Sequence, residues 1–170
     1  MKRPWAPLEQ SMLFSLPLAL TACPAYAIGS HITGWFHAPS AEIGGLWSAI
    51  SGIVVFQASP KASISSASLR VVGTAIGAIF CAIYLYFFEF TLYGFGLTIL
   101  LTAWVCQMTN IPDHARLACI TVAVIMVTEA SNPDLDSTLN ASLRFGESCI
   151  GTALAIFFSY LRGLVKGHPG

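Results

Sequence analysis

Ala67-Ser68-Leu69-Arg70, followed by Ile76-Gly77, is written twice in this chain. Ala141-Ser142-Leu143-Arg144 is followed by Ile150-Gly151, at a constant offset of 74 residues. Each copy sets one arginine at the mouth of a long apolar run rich in small residues. Working outward, the first half holds apolar runs at about 11–28, 43–58 and 69–88, and the second at about 91–108, 115–130 and 143–162. A membrane-spanning helix needs about 20 apolar residues. The expected architecture is therefore all-α: six transmembrane helices as two three-helix repeats, about 11–88 and 91–162, in one membrane domain (1–170) with no soluble domain.

Composition agrees with lipid as the main solvent. The chain is 55% hydrophobic and 9% charged, against about 25% charged in a soluble domain. Net charge is zero, and Lys and Arg never cluster among aromatics, so no nucleic-acid partner is expected. Cys23, Cys81, Cys106, Cys119 and Cys149 all fall in apolar runs without a C-x-x-C pair, which reads as small buried hydrophobes. His31 and His37 lack the i, i+4 spacing of two ligands on one helix face, so no metal is assigned. With no H-E-x-x-H, G-x-S-x-G or P-loop pattern, neither an enzyme nor a cofactor is expected.

The first run has two readings. Basic residues, an apolar centre and Ala25-Tyr26-Ala27 resemble a cleaved secretory signal, and Leu20-Thr21-Ala22-Cys23 resembles a lipoprotein processing box. The repeat instead needs a retained first span, interrupted by Pro17 and Pro24. Residues 29–42 are expected to be a loop, with Trp35 and Phe36 as interfacial anchors. Ser59 to Ser68 and residues 131–140 are expected to be polar linkers, which makes Arg70 and Arg144 helix-start residues. Asn140-Ala141-Ser142 fits an outward-facing glycosylation sequon.

Orientation follows from the basic residues. With the amino terminus cytoplasmic, Lys2, Arg3, Lys61, Arg70, Arg116, Arg162 and Lys166 fall on that side and Arg144 alone on the other. Glu42, Glu89, Glu129, Asp134 and Asp136 lean outward, while Glu9 and Asp113 are inner. Both termini are expected in the cytoplasm of a multi-pass protein. A repeat of three spans is odd, so its second copy enters from the opposite face. That is an inverted-topology repeat, a plan of many secondary transporters, and the short second and fifth runs occupy matched positions where such proteins keep a midplane site.

Few residues there carry chemistry. Arg144 and Glu147 are three apart on one helix face, with Glu147 about one turn inside its run, where an ionisable group defaults to a functional hypothesis. The pair reads either as an orienting ion pair at the membrane edge or as a proton-binding carboxylate beside an anion-attracting guanidinium. Arg70 and Arg116 read as positive-inside residues or as a fork for a carboxylate. Ser48, Ser51, Thr121 and Thr128 bond either to their own helix backbone or to a cargo. Trp47 either stacks on an aromatic cargo or sits near the interface. Gly73-x-x-x-Gly77 and Gly151 remove side chains so that helices can approach closely.

Leu46-Trp47-Ser48-Ala49-Ile50-Ser51 with Val54-Val55-Phe56-Gln57 resembles the opening of the fusaric acid resistance/aromatic acid exporter family. Arg70 with Gly73-Thr74-Ala75-Ile76-Gly77 resembles that family's arginine–glycine–threonine helix, and Arg116-Leu117-Ala118-Cys119-Ile120-Thr121 and Arg144 with Ile150-Gly151 resemble its later helices. The similarity covers about 40–162. It implies export of aromatic or other small organic acids through the bacterial inner membrane, driven by the proton gradient, with a periplasmic adaptor as partner in some relatives. Typical members add cytoplasmic domains and often a second membrane cassette. A lone cassette is expected to pair with another copy, as a C2 dimer. A non-transporting subunit packed on a larger partner and a passive anion channel stand as alternatives.

Overall fold

The computed structural model describes the backbone of residues 8–165 and the side chains of 12 and 14–164. Lys2, Arg3, Lys166, His168 and the Glu9 side chain lie outside the described residues. Six α-helices form the described chain, with no strand among those residues: α1 (Leu8–Phe36), α2 (Ala41–Val55), α3 (Pro60–Phe87), α4 (Leu92–Met108), α5 (Pro112–Ser131) and α6 (Ser137–Val165). By length and composition α3, α5 and α6 can each cross a membrane, and α4 is a shorter apolar helix. Exposed side chains such as Leu16, Ile83, Leu100, Trp104, Ile120 and Phe157 make the outer surface apolar, as a lipid-facing surface must be.

Three helices are longer than expected by two turns or more, and the difference moves the arginines. α1 runs through Pro17 and Pro24 to Phe36, so most of the expected 29–42 loop is helical. α3 starts at Pro60, where the Ala62 N–H donates to Ser59 Oγ at 3.2 Å, and α6 starts at Ser137, where the Leu139 N–H donates to Asp136 Oδ1 at 2.9 Å. The polar residues of the expected linkers fit helices because their hydroxyls find acceptors. Ser63 Oγ donates to Ser159 Oγ at 2.9 Å, Ser66 Oγ to the Val54 carbonyl at 3.2 Å and Ser142 Oγ to the Thr138 carbonyl at 2.7 Å. Such bonds let a serine-rich stretch be helical without stranded hydroxyls. Arg70 therefore sits about 15 Å into α3 and Arg144 about 10 Å into α6, at 1.5 Å per residue. Neither opens its helix.

α3 and α6 meet at the centre. α2 packs between α1 and α6, α5 between α3 and α4, and α2 touches its chain neighbour α3 only slightly. The close approaches run through glycines. A Cβ on Gly77 would overlap the Ala118 carbonyl oxygen, one on Gly151 would overlap the Ser48 carbonyl oxygen, and one on Gly73 would lie 2.9 Å from Leu117 Cβ. Gly151→Ala is thus expected to destabilise by about 1–3 kcal/mol, the usual range for overpacking. Gly96, with no neighbour within 4 Å of its added Cβ, is the control: Gly96→Ala should be neutral or gain up to about 1 kcal/mol of helix propensity. Unfolding midpoints in detergent measure both, and equal midpoints would contradict the close α2–α6 approach.

Two apolar clusters bracket a polar layer along α3 and α6. Ala78, Cys81, Leu85, Val122, Ile125, Met126 and Ala141 pack on one side, and Val55, Phe56, Ala67 and Ala155 on the other. Of the cysteines, Cys81 and Cys106 are buried as expected, Cys119 and Cys149 are half-buried, and Cys23 is exposed on the apolar outside of α1. Asn140 is buried and donates to the Ile125 carbonyl and to Glu129 Oε2, each at 3.0 Å, so the sequon presents no outward asparagine.

Candidate functional site

Between the apolar clusters lie Arg70, Arg144 and Glu147, all at most 2% exposed. Arg70 comes from α3, and its Nε and Nη2 donate to Ser51 Oγ at 3.1 and 2.8 Å. Ser51 in turn donates its hydroxyl proton to the Trp47 carbonyl at 2.8 Å, leaving its lone pairs for the guanidinium. The guanidinium carbon stands 4.4 Å from the centre of the Trp47 ring, within range of a cation–π attraction. Among the described residues no carboxylate pairs with Arg70.

Arg144, from α6, has one. Its Nη2 lies 2.9 Å from Glu147 Oε1, while Nε and Nη1 are buried without a hydrogen-bond partner. Glu147 Oε1 also accepts from Thr33 Oγ1 of α1 at 2.5 Å, whereas Oε2 is buried and unpartnered. The carboxylate rests against the first turn of α2, where a Cβ on Gly44 would lie 2.6 Å from Glu147 Oε1. A helix N-terminus is a favourable place for a negative charge. Trp47 joins the two arginine sites, since its Nε1 donates to the Arg144 carbonyl at 3.1 Å.

The layer continues through hydroxyls. Thr74 Oγ1 and Ser148 Oγ are 3.2 Å apart, and Thr121 Oγ1 donates to the Leu117 carbonyl at 3.0 Å and lies 3.5 Å from Thr74 Oγ1. Ser48 is buried, with its Oγ unpartnered. Of the residues singled out from sequence, the fold gathers Arg144, Glu147, Arg70, Trp47, Ser48, Ser51 and Thr121. It leaves two outside: Arg116 is exposed on the first turns of α5, and Thr128 is buried near the opposite end of that helix. Glu147 is the eleventh residue of α6, deeper in its helix than the single turn expected.

Thr33, Thr74, Ser148 and Gly44 are site residues that the sequence reading missed. Thr33 fell in the expected loop. Thr74 and Ser148 carried a usable signal, since they are 74 residues apart and so hold equivalent repeat positions. A second network was also missed: Glu129 Oε1 accepts from Ser137 Oγ at 2.5 Å, beside a cavity of ≈ 440 Å³ that Glu89 and Phe90 also line. His37 bonds Ser40 at 2.8 Å and His31 packs on Trp35 at 4.7 Å between ring centres.

Chemically, the layer holds two guanidinium groups and one carboxylate, inside an apolar shell. That arrangement can hold an anion and exchange a proton. No curated protein and no solved structure matches the chain. Residues 24–158 match the family described as fusaric acid resistance protein-like, a family of membrane transporters rather than enzymes. The match spans most of the chain, α1 to α6, and includes every buried charged residue of the polar layer, so this membrane protein belongs to the fusaric acid resistance protein-like family.

Proposed function

We propose that the chain exports small organic acids, aromatic carboxylic acids above all, across the bacterial inner membrane, and that proton movement drives the export. One observation carries the reading. Arg70 and Arg144 are both buried, and among the described residues Glu147, paired with Arg144, is the one carboxylate of their layer, so that layer holds one cation in excess. An uncompensated buried charge costs several kcal/mol, and a cargo carboxylate removes that cost for as long as it is bound. The Trp47 ring under Arg70 suits a cargo that is itself aromatic.

The symmetry of the contacts supports two inverted three-helix repeats. Thr74 and Ser148, equivalent across the 74-residue offset, meet at 3.2 Å, as equivalent residues do where a two-fold axis passes between them. α2 packs on α6 as α5 packs on α3, and Gly77 and Gly151 approach backbone carbonyls of those partners in the same way. Arg162 donates to the Ala58 carbonyl at 3.0 Å, which places the α6 end beside the α2–α3 loop. With Arg70 and Arg144 assigned to the buried layer, the remaining described basic residues, Lys61, Arg116 and Arg162, are all ones that the loop count assigns to the cytoplasmic side, which supports a reading with both termini in the cytoplasm. A second copy of this chain and a periplasmic adaptor fit the same reading as partners.

A second reading has one observation in its favour. Glu147 Oε1 is engaged by Arg144 and Thr33 together, as in a permanently locked pair, and that suits a non-transporting subunit of a larger assembly. Efflux of labelled aromatic carboxylates from cells, with and without a proton gradient, separates the readings. Gradient-driven efflux above an empty-vector control, lost in Glu147→Gln at equal membrane abundance, is the expected result. Flux indifferent to the gradient and to Glu147→Gln points to a passive anion channel, and no flux at all points to the subunit.

A further inference from the structure

A groove of ≈ 280 Å³ runs between α1 and α6, with Glu147 as its one charged wall. Ile32 and Phe36 of α1 and Leu139, Leu143 and Ile150 of α6 supply its apolar sides. From Leu139 to Ile150 it follows α6 for about 16 Å. Its emptiness is built in: Gly146 lines it, and a Cβ there would meet no atom within 4 Å. Glycine inside a helix is unfavourable relative to alanine. At Gly77 and Gly151 the close packing of helices explains it, but at Gly146 nothing is packed. The charged end has a vacancy of its own, since Glu147 Oε2 is buried without a hydrogen-bond donor.

These observations describe a ligand with an apolar body and a head that donates a hydrogen bond. We propose that the α1–α6 groove, which neither Arg70 nor Trp47 lines, is a second station for the cargo apart from the Arg70 site, and that it binds monocarboxylic acids of about one ring plus a short chain as a singly protonated pair with Glu147. In that pair one O–H is shared between the cargo carboxyl and Glu147 Oε2, and the apolar body fills the space beside Gly146. The proton comes from solution, and no bond other than O–H is made or broken. When the acid leaves as its anion the proton stays on Glu147, which links each departing molecule to one proton held by the protein. The groups facing Glu147 are Arg144 on its own helix, Thr33 from α1 and the first turn of α2 at Gly44. Among the described residues no other charged side chain pairs with it. The groove between α3 and α6, ≈ 320 Å³, is lined by Ala75, Ala78, Ala82, Ala141 and Phe145 among others, with no charged side chain, and so lacks the feature that selects a head group.

The inference rests on the organic-acid reading for its substrate class, and its test is therefore binding rather than efflux. Purified full-length chain in nanodiscs is titrated by calorimetry near neutral pH, in buffers of different ionisation enthalpy. The probes are 4-propylbenzoate and 4-propylbenzenesulfonate, which share a body but differ in whether the head can take a proton. About one proton should be taken up per bound benzoate, by linkage, and none in Glu147→Gln. The sulfonate should bind at least about tenfold more weakly, because so weak a base shares the Glu147 proton poorly and makes a weaker hydrogen bond at Oε2 than a carboxylate does. Gly146→Leu fills the groove from within and Leu139→Trp narrows it from the other end. Each should weaken 4-propylbenzoate by about tenfold or more, the effect of excluding a few methylenes. Two independent variants guard against one that misfolds. Equal affinity for the two probes, binding without proton uptake, no benzoate binding, or benzoate binding unchanged in both groove variants overturns the inference. Efflux that persists despite such a result leaves the transport reading standing without the groove. Proton-linked binding in a protein that shows no efflux does the reverse.

Discussion

Arg144→Ala is expected to cost the folded protein about 3–5 kcal/mol, the usual penalty for removing one partner of a buried ion pair. The variant leaves Glu147, 2% exposed, with a single hydrogen bond from Thr33 and no cation. The cost comes from the orphaned carboxylate rather than from the lost attraction, and that gives the prediction a second half. Arg144→Met combined with Glu147→Leu removes both charges and should recover most of the stability, because a buried pair replaced by apolar groups of similar volume is often neutral or better. Efflux should be absent in both variants. Reversible unfolding in mixed micelles measures the first quantity, and labelled-acid efflux at matched abundance the second. A loss under about 1 kcal/mol in Arg144→Ala would mean that Glu147 reaches water, against its burial.

Arg70→Met should act in the opposite direction on stability. Arg70 is 1% exposed, has no carboxylate partner among the described residues, and is held by Ser51 and the face of Trp47. Replacing it removes an uncompensated cation from an apolar layer and loses two hydrogen bonds to one hydroxyl. The net change should be within about 1 kcal/mol of zero or stabilising. Cargo affinity should nevertheless fall by about 2–5 kcal/mol, the cost of leaving a bound carboxylate without its cation, which is at least about thirtyfold in binding. A stable protein with little activity is the expected signature. Strong destabilisation by Arg70→Met would assign Arg70 a structural role and move the anion site to Arg144 alone. The two arginines occupy matched repeat positions, so their opposite stability effects test whether the excess charge belongs to the empty site.

Much of this protein is legible in its sequence. Hydropathy alone separates the six helices, because apolar runs broken by Pro, Asn, Asp and Ser have few alternatives to helices in lipid. The 74-residue offset was legible too, as were Arg144 and Glu147 three apart on one face. Tertiary structure decided the rest. The linker before Arg70 reads as polar, yet it is helical, since Ser63 and Ser66 find acceptors on α6 and α2 that no local pattern reveals. That packing carries Arg70 and Arg144 from the mouths of their helices to the buried layer, where their charges become costly and therefore informative. Thr33 reaches Glu147 across 114 residues of chain and Trp47 reaches Arg144 across 97. Spacing along a sequence encodes neighbours on one helix, but which residues meet between helices is settled only when glycines such as Gly77 and Gly151 let backbones close to contact.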